Sequence, residues 1–341
     1  MTQPTTIDEP TTLSPGAQSF HELCLRLKDH WNALPDGLEK QNALSYYTFN
    51  KFDQPDKAAS LVKYYSDLLS CIDNLDQTTG CDLGCWLGLS SAAMLGAGAH
   101  TVFGVDIRAH NTDQAQSWSN ALDIPNLKFR PMRPGAIAIK SQSMDWVLIN
   151  QVLCNAPPNS FTPALAEAHR ILKPSGTLIF CDNNNPHCPK TIERLKREFA
   201  AAEIADGSPE SPNGFNFTLR TNIAKARAPK LSDTQAKDLA RNTCYMWGDQ
   251  LNQAIDDYTR TGTLPSSRFD PDSLKSPMLP ADGACNGNLS DPFELTRTLE
   301  HLGFTNIDIT ARPPRRSLDN DALWNEITKA MRTCVFADRA P

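Results

Sequence analysis

Two different hydrophobic patterns divide the chain. Before residue 78, apolar side chains recur every three to four positions, as in the series Phe20, Cys24, Leu27 and Trp31, and this spacing predicts amphipathic helices over 17–78. After residue 78, short apolar runs alternate with helical stretches and turn residues. Such alternation is typical of β-α units in a parallel sheet that helices cover on both faces.

The β-α pattern stops and later returns. Residues 190–290 are polar, with helical stretches and Pro/Ser/Gly-rich breaks, and the pattern resumes after 290. We therefore expect one domain built from 79–189 and 291–341, with 190–290 as a helical insertion that forms a lid or binds the acceptor. Residues 1–16 are rich in Thr and Pro without an apolar period, and they predict a disordered tail.

Composition narrows the function classes. The 341 residues carry a formal net charge of -6, which disfavours a protein that grips nucleic acid through a basic face. No apolar run approaches the roughly 18 residues of a membrane span, and the polar start lacks a signal-peptide profile, so we expect a cytoplasmic protein without membrane contact. The ten cysteines form no CxxC pair, so we expect reduced, buried thiols and no metal site.

A strand, a turn and a helix follow one another in CDLGCWLGLSSAAMLG, which starts at residue 81. The dinucleotide fingerprint G-x-G-x-x-G, counted from Gly84, would need glycines at Trp86 and Leu89, so two of three positions fail. The spacing acid-x-G-x-G-x-G fits better, with Asp82, Gly84 and Gly88 in place and Trp86 as the one departure. NAD or FAD is therefore disfavoured as the ligand.

Around this motif the sequence resembles the class I S-adenosylmethionine-dependent methyltransferases, especially the type 11-like group that acts on small molecules. The likeness covers 79–182 and 291–338, and it includes Asp106 at the end of the second strand, SMDWVLINQVL, and RILKPSGTLIF over 170–180. The last segment is similar to the family's R-x-L-K-P-G-G-x-L. The resemblance implies a Rossmann-like fold: a seven-stranded, mostly parallel sheet with its last strand antiparallel and helices on both faces.

The resemblance also implies S-adenosyl-L-methionine as cofactor and a set of residues that hold it. In the family, loop backbone and a helix N-terminus face the cofactor's carboxylate, the second-strand acid binds the ribose, and the end of the fourth strand faces the methionine part. Trp86 packs either against that part or between the loop and the N-terminal cap. Arg133 stands where the family has an adenine-binding acid, so backbone there would take over. The implied positions are Asp82, Gly84, Cys85, Trp86, Gly88, Asp106, Ile107, Arg133, Pro134, Asn150 and Gln151.

Candidate acceptor-binding residues follow the fifth strand and lie in the cap. Methyl transfer is an in-line displacement in which alignment can contribute roughly 7–11 kcal/mol, and a base is needed only for some acceptors. In the loop CDNNNPHCP, Asn183 and Asn184 can bind a polar acceptor and His187 is the candidate base. Tyr46 and Tyr47 lie in an aromatic stretch interpreted as partly loop, where they would line the acceptor pocket.

The sequence therefore predicts a methyltransferase acting at oxygen or nitrogen of a small, polar molecule, with a homodimer as one option. Two other classes remain open. A non-catalytic protein with the cofactor fold would act through partner contacts, and Trp86 and Arg133 favour that alternative. A nicotinamide-linked oxidoreductase is disfavoured by Trp86 and Leu89, and methylation of nucleic acid is disfavoured by the acidic balance.

Overall fold

The computed structural model describes residues 13–133, 135–204, 215–265, 277–278 and 287–341. Their strands form one sheet of eight strands in the order β4-β3-β2-β1-β5-β6-β8-β7. The strands are β1 Thr79–Leu83, β2 Thr101–Asp106, β3 Leu127–Arg133, β4 Ala136–Ile137, β5 Met144–Asn150, β6 Leu172–Asp182, β7 Phe304–Thr310 and β8 Thr333–Arg339.

Helices connect the strands, precede them and fill the described part of the insertion. The N-terminal helices are α1 Pro15–Ala33, α2 Leu38–Asn50 and α3 Pro55–Leu69. Those between strands of the sheet are α4 Leu89–Gly96, α5 Ala109–Ala121, α6 Phe161–Ile171, α11 Pro292–His301 and α12 Asn320–Ile327. The remaining four are α7 Pro189–Ile204, α8 Phe215–Arg227, α9 Asp233–Asn242 and α10 Gly248–Thr261.

The pairing of the strands confirms the predicted fold class. Neighbouring strands from β3 through β2, β1 and β5 to β6 run parallel, and β8, the last strand of the chain, runs antiparallel to both β6 and β7. The strand count differs by one, because the two-residue β4 pairs antiparallel with the end of β3 at the sheet edge. Gly135, with φ +73°, adopts the left-handed conformation that a turn between them favours.

Two apolar layers cover the faces of the sheet. One contains buried residues of α1, α3, α4 and α5, and the other contains buried residues of α6, α11 and α12. The N-terminal helices therefore share a core with the sheet. At the contact between α1 and α4, a side chain at Gly16 would meet the carbonyl oxygen of Gly96, so the two helices approach closely.

Two boundaries near the N-terminus differ from the predicted ones. Helix α1 begins at Pro15, where the side chain of Ser14 accepts a hydrogen bond from the Ala17 N–H, so residues 13–16 do not belong to a disordered tail. The rest of the predicted tail, 1–12, lies outside the described residues. The aromatic stretch interpreted as partly loop, residues 44–56, belongs to α2 up to Asn50 and forms a turn over 51–54. Tyr47 lies in the helical part, where it is buried against Trp31 of α1.

The expectation of ten reduced cysteines was wrong for one pair. Cys181 of β6 and Cys334 of β8 form a disulfide, and their Cα atoms lie 4.2 Å apart in directly opposite register. They are 153 residues apart in sequence, and only the antiparallel pairing of the two strands brings them together. The described cysteines that remain as thiols include Cys24, Cys71, Cys81, Cys85, Cys154 and Cys188.

The described part of the insertion is helical and has an apolar cluster of its own. Ala224, Leu239 and Ile255 are among the buried residues that α8, α9 and α10 contribute to it. Arg220 of α8 is fully buried and donates hydrogen bonds to the carbonyl oxygens of Thr243, Cys244 and Met278. Every helix in the described part of the chain is too short or too polar to traverse a bilayer.

Candidate functional site

The turn between β1 and α4 is shaped by two glycines that packing requires. Gly84 and Gly88 have φ values of +89° and +83°, which favour glycine. A Cβ atom at Gly84 would lie 2.3 Å from Cγ2 of Val152, and one at Gly88 would lie 2.5 Å from the ring of Phe129. The turn therefore passes close to β3 and to the residues that follow β5.

Trp86 takes the place of the second glycine with φ +47°, a left-handed conformation that L residues rarely adopt. Its backbone N–H donates to Oδ2 of Asp106 over 3.0 Å. The residue is 44% exposed, and its indole ring contacts the ring of Tyr46 of α2 at a tilt, with centroids 4.5 Å apart at an interplanar angle of 49°. The tryptophan thus joins the turn to the N-terminal cap.

Three of the turn's other backbone N–H groups bond within the fold. Those of Gly84 and Cys85 both donate to the Val105 carbonyl oxygen, over 2.7 and 3.0 Å, and that of Gly88 donates to Cys85 over 2.9 Å. These three groups were predicted to face the cofactor's carboxylate. Further backbone donors on this side are those of the first turn of α4, which a helix leaves without intrahelical partners.

Asp82 connects β1 to α4. It is buried, and its Oδ2 accepts hydrogen bonds from the hydroxyls of Ser90 and Ser91 over 2.7 and 2.6 Å. Burial raises the pKa of the Asp82 carboxyl to about 6, since desolvation outweighs the two hydroxyl donors. Its role in this arrangement is to orient the start of the helix.

Asp106, the acid at the end of β2, is held from three sides. Oδ1 accepts from the Arg108 N–H over 2.9 Å and from Nδ2 of Asn111 over 3.1 Å, while Oδ2 accepts from Trp86. A carboxylate has about four acceptor positions, so capacity for a further hydroxyl donor remains. Ile107, which follows, is 51% exposed.

A cavity of about 1060 Å³ lies between α2, the turn after β1 and the start of α5. Asp106 itself does not line it, but its three hydrogen-bond partners, Trp86, Arg108 and Asn111, do. The size of the cavity suits a nucleoside-like ligand, since small-molecule pockets usually occupy about 300–1,000 Å³. Aromatic side chains form one wall and polar side chains of α5 form the other. The lining residues are Glu39, Asn42, Ser45, Tyr46, Phe49, Asn50, Trp86, Leu87, Arg108, His110, Asn111, Asp113, Gln114 and Ser117.

Helix α3 covers the end of β5 with two tyrosines. The hydroxyl of Tyr64 donates to Oδ1 of Asn150 over 3.0 Å, and Nδ2 of Asn150 donates to the hydroxyl oxygen of Tyr65 over 3.2 Å. Burial raises the pKa of Tyr65 well above its ordinary value, and the charge of Asp82 adds to that effect. The sequence-based prediction missed both tyrosines, although two adjacent aromatic hydroxyls on a helix of the cap were a signal for them.

The ends of β5, β6 and β8 meet through a chain of side-chain hydrogen bonds. Nδ2 of Asn183 donates to Oε1 of Gln151 over 2.7 Å, and Nε of Arg332 donates to Oδ1 of Asn183 over 3.0 Å. Asp182 is fully buried and accepts from the N–H groups of Cys154 and Asn183. Burial raises the pKa of the Asp182 carboxyl to about 6.

The candidate base lies in a different group of side chains. Nε2 of His187 is 3.2 Å from Oδ1 of Asp291, and its ring centroid lies 5.2 and 5.4 Å from those of Phe293 and Trp324. Asn184 accepts from Arg194. The structure therefore does not bring His187 to the wall of the large cavity.

The remaining predicted residues divide between the cavity wall, the core and the sheet edge. Tyr46 lines the cavity, whereas Tyr47 is buried in the core between α1 and α2. Arg133 is exposed and ends β3, where it pairs in register with Ala136. Pro134 lies outside the described residues. Across these residues, no group of three or more His, Cys, Asp or Glu side chains is arranged to hold a metal ion.

Residues 81–180 match the sequence model of a family described as "Methyltransferase domain". No protein of curated function matches the sequence. Solved structures with a similar fold include a protein of Galdieria sulphuraria provisionally assigned as a sarcosine dimethylglycine methyltransferase. It is 16% identical with a TM-score of 0.36, and the match covers 42% of this chain and 55% of that one. The chain therefore spans about half the length of that protein.

Two further structures cover different shares of the chain. The PH0226 protein of Pyrococcus horikoshii is 20% identical with a TM-score of 0.36, over 45% of this chain and 71% of that one. An S-adenosylmethionine-dependent methyltransferase of Thermotoga maritima is 11% identical with a TM-score of 0.41, over 94% of this chain and 99% of that one. With TM-scores below 0.5, these likenesses carry no conclusion about the substrate.

Proposed function

We propose that this chain, whose residues 81–180 match a methyltransferase domain, is a class I S-adenosylmethionine-dependent methyltransferase that methylates oxygen or nitrogen of a small, polar acceptor. The observation that carries the proposal is the position of Asp106. It ends β2 with acceptor capacity left on its carboxylate, and the residues that bond to it, Trp86, Arg108 and Asn111, line a cavity large enough for a nucleoside. Ligands of open α/β sheets bind at this edge, outside the carboxyl ends of the strands.

The residues present fit the nucleoside half of the cofactor. The Asp106 carboxylate would accept from the ribose hydroxyls, and the exposed Ile107 and the aromatic wall formed by Trp86 and Tyr46 would contact the adenine. The first turn of α4 would face the methionine carboxylate with its backbone donors and positive dipole. When bound, S-adenosylmethionine supplies an electrophilic methyl group on a sulfonium.

The chain's own contribution to transfer is alignment and exclusion of water. Asn150 and Gln151 end β5, and the hydrogen bonds of Asn150 to Tyr64 and Tyr65 fix its amide. Asn183 is fixed by Gln151 in the same way. Rigid amides at this edge would orient a polar acceptor against the methyl group, and such positioning accounts for most of the rate in an in-line displacement.

Proton removal is assigned to no described side chain in this proposal. His187 was the candidate from the sequence, but its contacts with Asp291, Phe293 and Trp324 support a packing role. An acceptor that is a neutral amine needs no base before attack, since its lone pair is already free. Such an acceptor suits the arrangement best.

A second candidate function is that of a non-catalytic protein with the same fold. It is favoured by the backbone N–H groups of Gly84, Cys85 and Gly88, which bond within the fold and leave fewer donors for the cofactor's carboxylate. A protein of this kind would retain the sheet and the turn but would not bind the methyl donor. The two functions therefore differ in a measurable affinity.

The test is calorimetric titration of the protein with S-adenosylmethionine and with S-adenosylhomocysteine. The methyltransferase proposal expects both to bind and expects Asp106→Ala to weaken each by about 10- to 100-fold, because a charge-assisted hydrogen-bond pair is lost. Asp67→Ala, on the surface of α3, is the matched control and should bind as the unmodified protein does. If a folded protein binds neither compound, the non-catalytic function replaces the proposed one.

A further inference from the structure

Arg332 lies at the edge of the sheet where the acceptor would bind. It immediately precedes β8, whose first residue, Thr333, is paired with Asp182 at the end of β6. Because β8 runs antiparallel, its start lies at the carboxyl ends of the parallel strands. Asn150, at the end of β5, is paired with Cys181 in the same region.

The guanidinium of Arg332 is held in one orientation by neutral groups. Its Nε donates to Oδ1 of Asn183 over 3.0 Å, and its Cζ lies 5.5 Å from the centroid of the Tyr64 ring. Both partners are fixed in turn, Asn183 by Gln151 and Tyr64 by Asn150. The planar fork is therefore preorganised, and most of its five N–H donors remain for other partners.

The charge of Arg332 is not neutralised by a direct ion pair among the described residues. Half-buried Arg315, in contrast, pairs with Asp308 at 2.7 Å and with Asp338 at 2.9 Å. Arg332 lowers the pKa of one carboxyl, that of Asp182, which is fully buried and already accepts two backbone N–H groups. Burial raises the pKa of Asp182 to about 6 despite the lowering effect of Arg332, so this carboxyl is ionised near neutral pH. In the described part of the chain its oxygens accept from the two backbone N–H groups and form no direct ion pair with the guanidinium.

We propose that Arg332 binds an oxyanion group, carboxylate or phosphate, of the methyl acceptor. This inference rests on the proposed function and narrows the acceptor from a polar molecule to an anionic one. A planar guanidinium forms paired hydrogen bonds with such groups, and a partly desolvated site strengthens them. Asn183 and Tyr64 act as positioning residues, because they orient the guanidinium.

The acceptor class is tested by following S-adenosylhomocysteine release from matched pairs of compounds. Each pair joins an amino- or hydroxy-carboxylate with its carboxamide, or the phosphomonoester of an amino alcohol with that amino alcohol, so that both members keep the group that accepts the methyl. The unmodified protein should prefer the anionic member by at least about 10-fold in kcat/KM. Arg332→Gln should remove that preference, with a rise in KM of about 10- to 100-fold, because one charge-assisted interaction is lost.

Two variants separate recognition from folding. Arg332→Lys keeps the charge but loses the planar fork. Its preference for the anionic acceptor should therefore lie between that of the unmodified protein and that of Arg332→Gln. Arg297→Gln removes an exposed arginine of α11 and should leave the preference unchanged. Binding of S-adenosylhomocysteine should be equal in all four proteins, which also verifies that each is folded.

A direct probe covers the case in which no compound of the panel reacts. Benzoate and inorganic phosphate are titrated into the protein saturated with S-adenosylhomocysteine, and at least one should bind to it and fail to bind to Arg332→Gln. The inference is overturned if neutral and anionic members react equally, if Arg332→Gln keeps the preference, or if neither a turnover preference nor anion binding is found. Failure of S-adenosylhomocysteine to bind the unmodified protein would instead refute the proposed function itself.

Discussion

The backbone N–H of Trp86 donates to the side chain of Asp106 over 3.0 Å, so the residue that replaces a glycine in the turn is joined directly to the acid of the proposed ribose site. To make this contact the residue adopts a left-handed φ of +47°, and its ring lies against that of Tyr46. The turn, the acid and the N-terminal cap consequently form one unit. A change at Trp86 is expected to affect the cap and the acid together.

Replacing Trp86 by glycine and by alanine should separate the effect of backbone strain on stability from the effect of losing the ring contact. Both variants lose the contact with Tyr46, but only alanine keeps a Cβ in the left-handed conformation, which costs about 1 kcal/mol. Trp86→Gly should therefore unfold with a free energy about 1 kcal/mol higher than Trp86→Ala. Denaturant unfolding measures both values.

The matched control is the same pair of substitutions at Lys63, which lies on the exposed side of α3. There the order should reverse, with alanine about 1 kcal/mol more stable than glycine, because helical φ favours alanine. If the alanine variant were more stable than the glycine variant at both positions, Trp86 would not adopt the left-handed conformation.

Gly84 should not tolerate a side chain. Gly84→Ala adds a Cβ 2.3 Å from Val152 at φ +89°, so we expect a loss of about 2–4 kcal/mol from overpacking and backbone strain together. Gly37→Ala is the control, since nothing lies within 4 Å of its Cβ position and its backbone is extended. Thermal or denaturant unfolding of both variants gives the comparison.

Relief of the contact provides a second check on Gly84. Val152→Ala in the Gly84→Ala background should restore part of the lost stability, because the clash with the valine methyl groups disappears while the strained φ remains. A double variant as unstable as the sum of the two single changes would show that the valine is not the obstacle.

More of the fold than of the candidate site could be predicted from the sequence. Strand and helix order could be predicted from the alternating apolar runs, and Asp106 from its spacing after Gly88, because both signals are local. Arg332 and Asn183 are 149 residues apart, and only the antiparallel placement of β8 brings them together. The internal bonding of the Gly84 N–H likewise depends on how β1 packs beside β2.

His187 should be dispensable for turnover and needed for stability. Its ring packs between Phe293 and Trp324 beside Asp291, so His187→Ala should keep kcat within about 3-fold while it lowers the free energy of unfolding by about 1–3 kcal/mol. Single-turnover rates with saturating donor provide the measurement. A general base would instead lose about 10²–10⁴-fold in rate on removal, and that result would restore His187 as the catalytic residue.

Buried Asp82 should make the protein less stable as the pH rises. Its pKa is raised from the ordinary value of 3.8 to about 6 by burial, so the folded state binds a proton that the unfolded state has already released between these values. Stability from this group is complete below about pH 4 and is lost as the pH rises through about 6. Asp82→Asn has no such proton, so its stability relative to the unmodified protein should increase from pH 5 to pH 8, by on the order of 1–1.5 kcal/mol.

Urea unfolding of the two proteins at pH 5, 6, 7 and 8 measures this difference, and effects of other titrating groups cancel because both proteins contain them. Ser91→Ala gives an independent check. The Ser91 hydroxyl donates to Asp82 over 2.6 Å and lowers its pKa, so removing it should move the pH dependence to higher values. Parallel curves for Asp82→Asn and the unmodified protein would show that the carboxyl is solvated as an ordinary aspartate, and the buried connection between β1 and α4 would then need another explanation.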